Sequence, residues 1–158
     1  NGLKSYQPLP HRLQPLGEKD GIKYYDDSIS TICETTIQAL NTLKDVDTVL
    51  IGGMDRGIDY SELINFLSGH KVPHIILMEA TGKRILEEIL NGYPDFQDKD
   101  RLVLTDHLED AVAKAKELTR PGHSCLMSPA AASYGIFKNF EERGEVFARL
   151  VSESDKLM

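Results

Sequence analysis

Three short stretches hold residue types that bind anions and polyols. "DDSIST" (26–31) offers two carboxylates followed by hydroxyls, and "GGMDRG" (52–57) sets Arg56 in a glycine-flanked loop. "SPAAASYGIFKNFEERG" (128–144) runs from small residues through Ser133 and Tyr134 into an aromatic, charged segment containing Phe140. A carboxylate such as Asp27 can accept hydrogen bonds from a pair of sugar hydroxyls, and Thr31 at a helix start can donate to an anion. The planar guanidinium of Arg56 suits a carboxylate gripped at two points. Small residues leave backbone and Ser133 free to approach such a ligand. Each stretch also has a plainer reading. The first can be a run of helix caps and Arg56 a solvated loop residue. The alanines can serve close helix–strand packing, and "NFEERG" can be a solvated helix face.

The elements before each stretch bring the three together. Ile22 and Tyr24 alternate with Lys23 and Tyr25, which predicts a strand, and Lys19-Asp20-Gly21 predicts a hairpin turn from the segment before it. "TICETTIQALNTL" places Ile32, Thr36, Ile37, Leu40 and Leu43 on one helical face. "DTVLIGG" is a continuous apolar run of the kind buried on both sides. "DYSELINFLSGH" predicts a helix with Asp59 and Glu62 in capping-box spacing and Gly69 at its end. Strand "HIILME", helix "GKRILEEILNG" with Thr81 as its cap, strand "RLVLTD", helix "HLEDAVAKAKELTRPG" and strand "HSCLMS" follow. A final helix is expected from about 136 to 151, burying Ile136, Phe140, Phe147 and Leu150. The alternation predicts an α/β fold, a Rossmann-like three-layer sandwich with a mostly parallel sheet of about six strands and an N-terminal antiparallel hairpin. Ligands of open parallel sheets bind beyond the carboxyl ends of the strands. All three stretches fall on that edge.

Composition narrows the field. The chain has 158 residues, 41% hydrophobic and 27% charged, enough for one domain with a sizeable core. A net charge of −7 argues against a nucleic-acid or anionic-membrane surface. No apolar stretch approaches the roughly 18–20 residues of a membrane span. Residues 1–10, rich in proline, read as an extended interdomain lead-in without a signal-peptide pattern, so a cytoplasmic address is expected. Cys33 and Cys125 are too few for a disulfide framework and read as buried thiols. His70 and His74 are separated by Pro73, which argues against a metal pair on one helix. The chain contains no G-x-x-x-x-G-K-[ST] phosphate loop, and no Ser-His-Asp order stands out.

Taken together, these residues resemble the C-terminal domain of the Mur ligases, most closely the type that joins glutamate to UDP-N-acetylmuramoyl-alanine. "PLPHR" (8–12) is similar to that family's "GLPHR", "DDSIST" to its "NDSKAT", "GGMDRG" to its "GGxxKG", and "SPAAASYGIFKNFEERG" to its "SPAxASxDxFKNFExRG". The likeness covers His11 to about Leu150, and 11–158 is expected to be the glutamate-binding domain. It implies ATP-dependent amide formation in peptidoglycan synthesis through an acyl phosphate. ATP and Mg²⁺ would be bound mainly by a central domain, and an N-terminal domain would hold the UDP-sugar. Carried over by position, Arg12 and Asp27 contact the ribose side of ATP. Thr31, Arg56, Ser133 and the Tyr134 backbone hold the glutamate carboxylates, with Phe140 lining that pocket. No catalytic or metal-binding residue is implied within this domain, and a monomer is expected.

Two departures stand out. The family's lysine within "DSKAT" is Ile29 here and its following asparagine is Ile32, so a cationic contact near the phosphates or substrate is missing or is supplied elsewhere. Tyr134 replaces a commonly smaller or aliphatic residue, which can reshape the glutamate pocket. Related ligases add L-glutamate, so both enantiomers stay open. A folylpolyglutamate synthase branch fits the "FKNFEERG" start less well. A free-standing module binding a nucleotide or amino acid is the remaining alternative.

Overall fold

The computed structural model describes residues 10–153. Except for Pro10, the expected lead-in over 1–10 lies outside the described residues. The chain begins with a hairpin, β1 (Gln14–Lys19) and β2 (Ile22–Asp26). Asp20 (φ 55°) and Gly21 (φ 83°) form its two-residue turn, and two consecutive positive φ values are what an Asp-Gly hairpin turn requires. After it come α1 (Cys33–Thr42), β3 (Val46–Gly52), α2 (Ser61–Gly69), β4 (His74–Met78) and α3 (Glu79–Gly92). The chain then continues through β5 (Leu102–Thr105), α4 (Leu108–Leu118), β6 (Ser124–Met127) and α5 (Phe140–Ser152).

The six strands lie in the order β1-β2-β6-β3-β4-β5. Only β1 with β2 is antiparallel; the other four pairings are parallel. All seven residues of β3 are buried, as a strand covered on both faces demands. Val49 and Ile51 pack with Leu40, Leu63, Leu67, Ile85 and Ile89 of α1, α2 and α3. Leu50, between them, packs with Val112, Ala115 and Phe147 of α4 and α5. The period-two alternation therefore sorts the side chains into two cores. Burying Phe147 completely contributes about 1.5–3 kcal/mol.

Four local expectations are corrected. The last helix starts at Phe140, not near 136, and Ile136 is 51% exposed; Gly135 at φ 89° interrupts any helical run there. α3 starts at Glu79, so Thr81 lies inside the helix and its hydroxyl donates to the Met54 carbonyl instead of capping. α2 starts at Ser61 without a side-chain cap, because Asp59 Oδ1 accepts the Ser61 N–H in a turn before it. In α1 the buried face is Cys33, Thr36, Ala39 and Leu40, while Ile32 is the exposed residue before the first turn.

Candidate functional site

Loops at the carboxyl ends of β2, β3 and β6 are laced into one edge by backbone hydrogen bonds. Gly52 N–H donates to the Pro129 carbonyl (2.9 Å), Met54 N–H to Ala132 (2.9 Å), and Ala130 N–H to Ser30 (2.9 Å). The glycine pair makes this approach possible. A Cβ on Gly52 would stand 2.0 Å from the Met78 carbonyl oxygen, and one on Gly53 would stand 2.6 Å from that of Ala132. Ala130 sits at φ 55°, a conformation that L-residues avoid, and its carbonyl accepts the Tyr60 hydroxyl at 2.6 Å. Thr81 fixes the other side of the "GG" turn, donating from its N–H to Gly53 and from its hydroxyl to Met54. Ala130, Ala131 and Ala132 are buried, so their small size serves this crossing. Ser133 is also buried, whereas Tyr134 is 58% exposed at the rim.

Arg56 follows on the same edge. Its neighbour Asp55 is held by Arg84, Nε to Oδ2 at 2.8 Å and Nη2 to Oδ1 at 2.9 Å, and that bond holds the Asp55 carboxyl below its usual range. Arg56 itself is exposed and makes no hydrogen bond or ion pair among the described residues. Thr31 is half-buried just before Ile32, which opens α1 without a side-chain cap. The helix-cap reading of "DDSIST" is therefore set aside: the Ser28 hydroxyl donates to the Phe140 carbonyl, and the Ser30 hydroxyl donates to Asp27.

Asp27 gathers three donors. Its Oδ2 accepts from the Ser30 hydroxyl (2.5 Å) and the Ser128 hydroxyl (2.7 Å), and its Oδ1 accepts from Leu13 N–H (3.0 Å). Burial raises the Asp27 pKa, and these donors counteract the rise. A carboxylate oxygen offers two acceptor positions, so Oδ2 is filled and Oδ1 keeps one. Asp27 also lines a cavity of about 200 Å³, together with Arg12, Ile29, Ser30, Thr35 and Gln38, among others. The two residues expected on the nucleotide side thus line one cavity. Thr31, Arg56, Ser133 and Tyr134 stand on the three laced loops. Phe140 is half-buried, and its ring meets His11 edge-on at 6.2 Å, which places it nearer the Arg12 turn.

Reading the sequence alone missed Arg143, His11 and Asp26. "NFEERG" is not simply a solvated face: Arg143 is 1% exposed, one of the largest fully buried side chains. Its Nε donates to the Ser28 hydroxyl and its Nη2 to the Ser28 carbonyl, both at 2.9 Å. Burial lowers its pKa to about 10, although Glu79 and Asp26 oppose the shift. Arg143 Nη1 and Glu79 Oε2 are buried without a hydrogen-bond partner among the described residues. His11 Nδ1 donates to Asp26 Oδ2 at 2.6 Å. The "PHR", "DDSIST" and "FEERG" spellings contain these positions but do not show that they are tied together.

Among the described residues no group of three or more His, Cys, Asp or Glu converges as a metal site, and no helix is long and apolar enough to cross a membrane. A mostly parallel α/β sheet with laced strand-end loops places a free arginine and neutral hydroxyls on the edge where open sheets of this class take ligands. A scan against protein-family models finds no match. Among curated proteins, the UDP-N-acetylmuramoylalanine–D-glutamate ligase of Thermoanaerobacter sp. (strain X514) is 37% identical over 154 residues, 97% of this chain and 33% of that protein. The ligase of the same name from Chlamydia caviae is 35% identical over 155 residues, 98% of this chain and 35% of that protein. Two solved structures share the fold. A murein peptide ligase from Psychrobacter arcticus 273-4 has a TM-score of 0.63 at 14% identity, covering 98% of this chain and 32% of that one. The MurF ligase from Thermotoga maritima in complex with ADP has a TM-score of 0.55 at 18% identity, covering 94% and 33%. Over nearly its whole length the chain is similar to these UDP-N-acetylmuramoylalanine–D-glutamate ligases, and it shares its fold with part of two Mur ligases of known structure. It spans about a third of the length of the curated relatives it matches.

Proposed function

We propose that this chain is the amino-acid-receiving domain of an ATP-dependent ligase that adds glutamate to UDP-N-acetylmuramoyl-L-alanine in peptidoglycan synthesis. The observation that carries the reading is Arg56, unpaired on an edge shared with Thr31 and Ser133. An amino acid with two carboxylates needs such a cation and several neutral donors. In the reaction the muramoyl-alanine carboxylate takes the terminal phosphoryl group of ATP, leaving ADP and an acyl phosphate. The neutral amine of glutamate attacks the acyl carbon, the C–N bond forms, phosphate departs and the amine loses a proton. This domain's contribution is to orient that amine, an entropic gain rather than a chemical step. Arg12 and Asp27 meet the ribose side of ATP at the adjoining cavity. Mg²⁺, which stabilises charge on the transferring phosphoryl group, is assigned to the parts of the ligase beyond this chain.

Exposed Ile32, Met54, Tyr134 and Ile136 lie on loops of the same edge, and the preceding domains of the ligase cover it during the reaction. The enzyme works as a cytoplasmic monomer on water-soluble, nucleotide-linked substrates. D-glutamate is the proposed substrate, following the names of the relatives. Tyr134, exposed at the rim, shapes the mouth of the glutamate pocket. The test is steady-state kinetics on the full-length ligase with both enantiomers. Arg56→Ala raises the KM for glutamate at least tenfold, the scale of a lost charge-assisted contact. An unchanged KM would sink the carboxylate clamp, and a preference for L-glutamate would reassign the substrate. Micromolar binding of nucleotide or glutamate to this chain alone, measured by calorimetry, would favour a free-standing binding module.

A further inference from the structure

The turn that carries Arg12 is held from both ends. His11 (φ 64°) and Leu13 (φ 44°) both adopt the left-handed conformation that bulky L-residues seldom hold, so the surrounding contacts must impose it. His11 N–H donates to Gln14 Oε1 (2.8 Å), and the His11 carbonyl accepts from Ile29 N–H (3.1 Å). The His11 ring donates from Nδ1 to Asp26 Oδ2, and Leu13 N–H donates to Asp27 Oδ1. The adjacent carboxylates of "DD" therefore grip the residues on either side of Arg12, one through a ring and one through the backbone. Asp26 is itself fixed, its Oδ1 accepting from Ser28 N–H at 2.9 Å. The ring lies edge-on to Phe140 and presses on Gly144 of α5. A Cβ there would stand 2.3 Å from His11 Nδ1 and 2.4 Å from Asp26 Oδ2. Gly144 is thus the seat of the pair. Between two fixed neighbours, Arg12 is exposed and lines the cavity that Asp27 also lines.

The geometry points to His11 and Asp26, seated on Gly144, as positioning residues that present the Arg12 guanidinium to the ribose–phosphate part of a nucleotide. The inference rests on the reading that this cavity takes the nucleotide. A phosphate or ribose oxygen is met well by a guanidinium only when its stem is aimed, because the fork is planar and rigid. A carboxylate-held ring and a glycine seat supply that aim at no direct contact with the ligand.

The test is a mutant cycle in the full-length ligase, reading the KM for ATP separately from kcat, with thermal melting as the folding control. Arg12→Ala and His11→Ala each raise the KM for ATP about tenfold, the loss of one charge-assisted contact. The double variant shows no further rise, because both remove the same interaction. His11→Asn, whose amide nitrogen takes the place of Nδ1, restores most of the affinity. Gly144→Ala, which displaces the ring without touching Arg12, reproduces the His11→Ala effect in a second, independent variant. Multiplying effects in the double variant would overturn the positioning role. So would a His11→Ala protein that melts lower with an unchanged KM. If Arg12→Ala leaves the KM for ATP unchanged, the nucleotide reading of this cavity itself fails, and the inference goes with it.

Discussion

Gly53→Ala isolates the crossing of two loops with a single methyl group. The new Cβ would stand 2.6 Å from the Ala132 carbonyl oxygen and 3.1 Å from both the Ala131 Cβ and Arg143 Nη1. None of these neighbours is free to yield. The Ala132 carbonyl accepts the Met54 N–H, and Arg143 is tied to Ser28 through two hydrogen bonds. Overpacking a rigid site costs about 1–3 kcal/mol. At about 2–4 °C per kcal/mol for a domain of this size, the Tm falls by about 2–12 °C. The assay is thermal unfolding of the chain followed by circular dichroism or calorimetry. Gly69→Ala serves as the control: a Cβ there meets nothing within 4 Å at the end of α2, so its Tm stays at or above that of the parent. Gly53→Ala in the full-length ligase raises the KM for glutamate, since the loop carrying Met54 and the loop carrying Ser133 are forced apart. A Gly53→Ala Tm equal to that of the control would refute the reasoning, because the loops would then be soft enough to absorb the methyl group.

Two further outcomes are expected from titratable groups that are partly or fully buried. Burial lowers the His70 pKa, and its Nδ1 accepts the Val72 N–H, a role the protonated ring cannot fill. The folded state therefore binds fewer protons than the unfolded one below about pH 6.5, the unfolded value. Stability is full above that pH and is lost as pH falls through the lowered folded value. Urea melts from pH 7.5 to 5.5 show a steeper loss in the parent than in His70→Gln. Equal slopes would count against a neutral ring that accepts the Val72 N–H. Cys33 and Cys125 are both buried, and burial pushes both thiols up. A colourimetric thiol reagent therefore labels neither in the native chain and both in denaturant; native labelling within seconds would contradict the packing.

The fold was legible because its signals are periodic. The two-residue alternation in β3 sorts Val49, Leu50 and Ile51 between two cores, and the Asp20-Gly21 turn declares the hairpin by itself. Boundaries were less legible where a local signal served a distant partner. Thr81 looked like a helix cap, yet its hydroxyl satisfies Met54 across the edge. Ile136 extended an apolar pattern that the chain leaves exposed. The site was legible as a set of loops, since the carboxyl-end rule needs only the strand order of elements. What held those loops was not. Arg143 sits in a run of charges that reads as solvated, and it is buried because Ser28, 115 residues earlier, supplies both acceptors. Asp27 looked free to meet a sugar, but Ser30, Ser128 and Leu13 already occupy most of its acceptors. Sequence spacing contains no signal for contacts of that range.

The place of β6 in the sheet also sets the order of assembly. It inserts between β2 and β3, pairing Tyr24 with Cys125 and Val49 with Leu126. On a ribosome the chain emerges with β2 and β3 made and their inner edges unpaired from Gly52 until Ser124 has been added. Such edges invite pairing with other chains, and sheet contacts of high sequence separation form slowly. The last strand closes the sheet, and the segment directly after it brings Ser128 to Asp27 and Ala132 to Met54. Ligand-ready loops and a closed sheet are therefore products of the same late event, and a nascent chain interrupted before Ser124 would have neither.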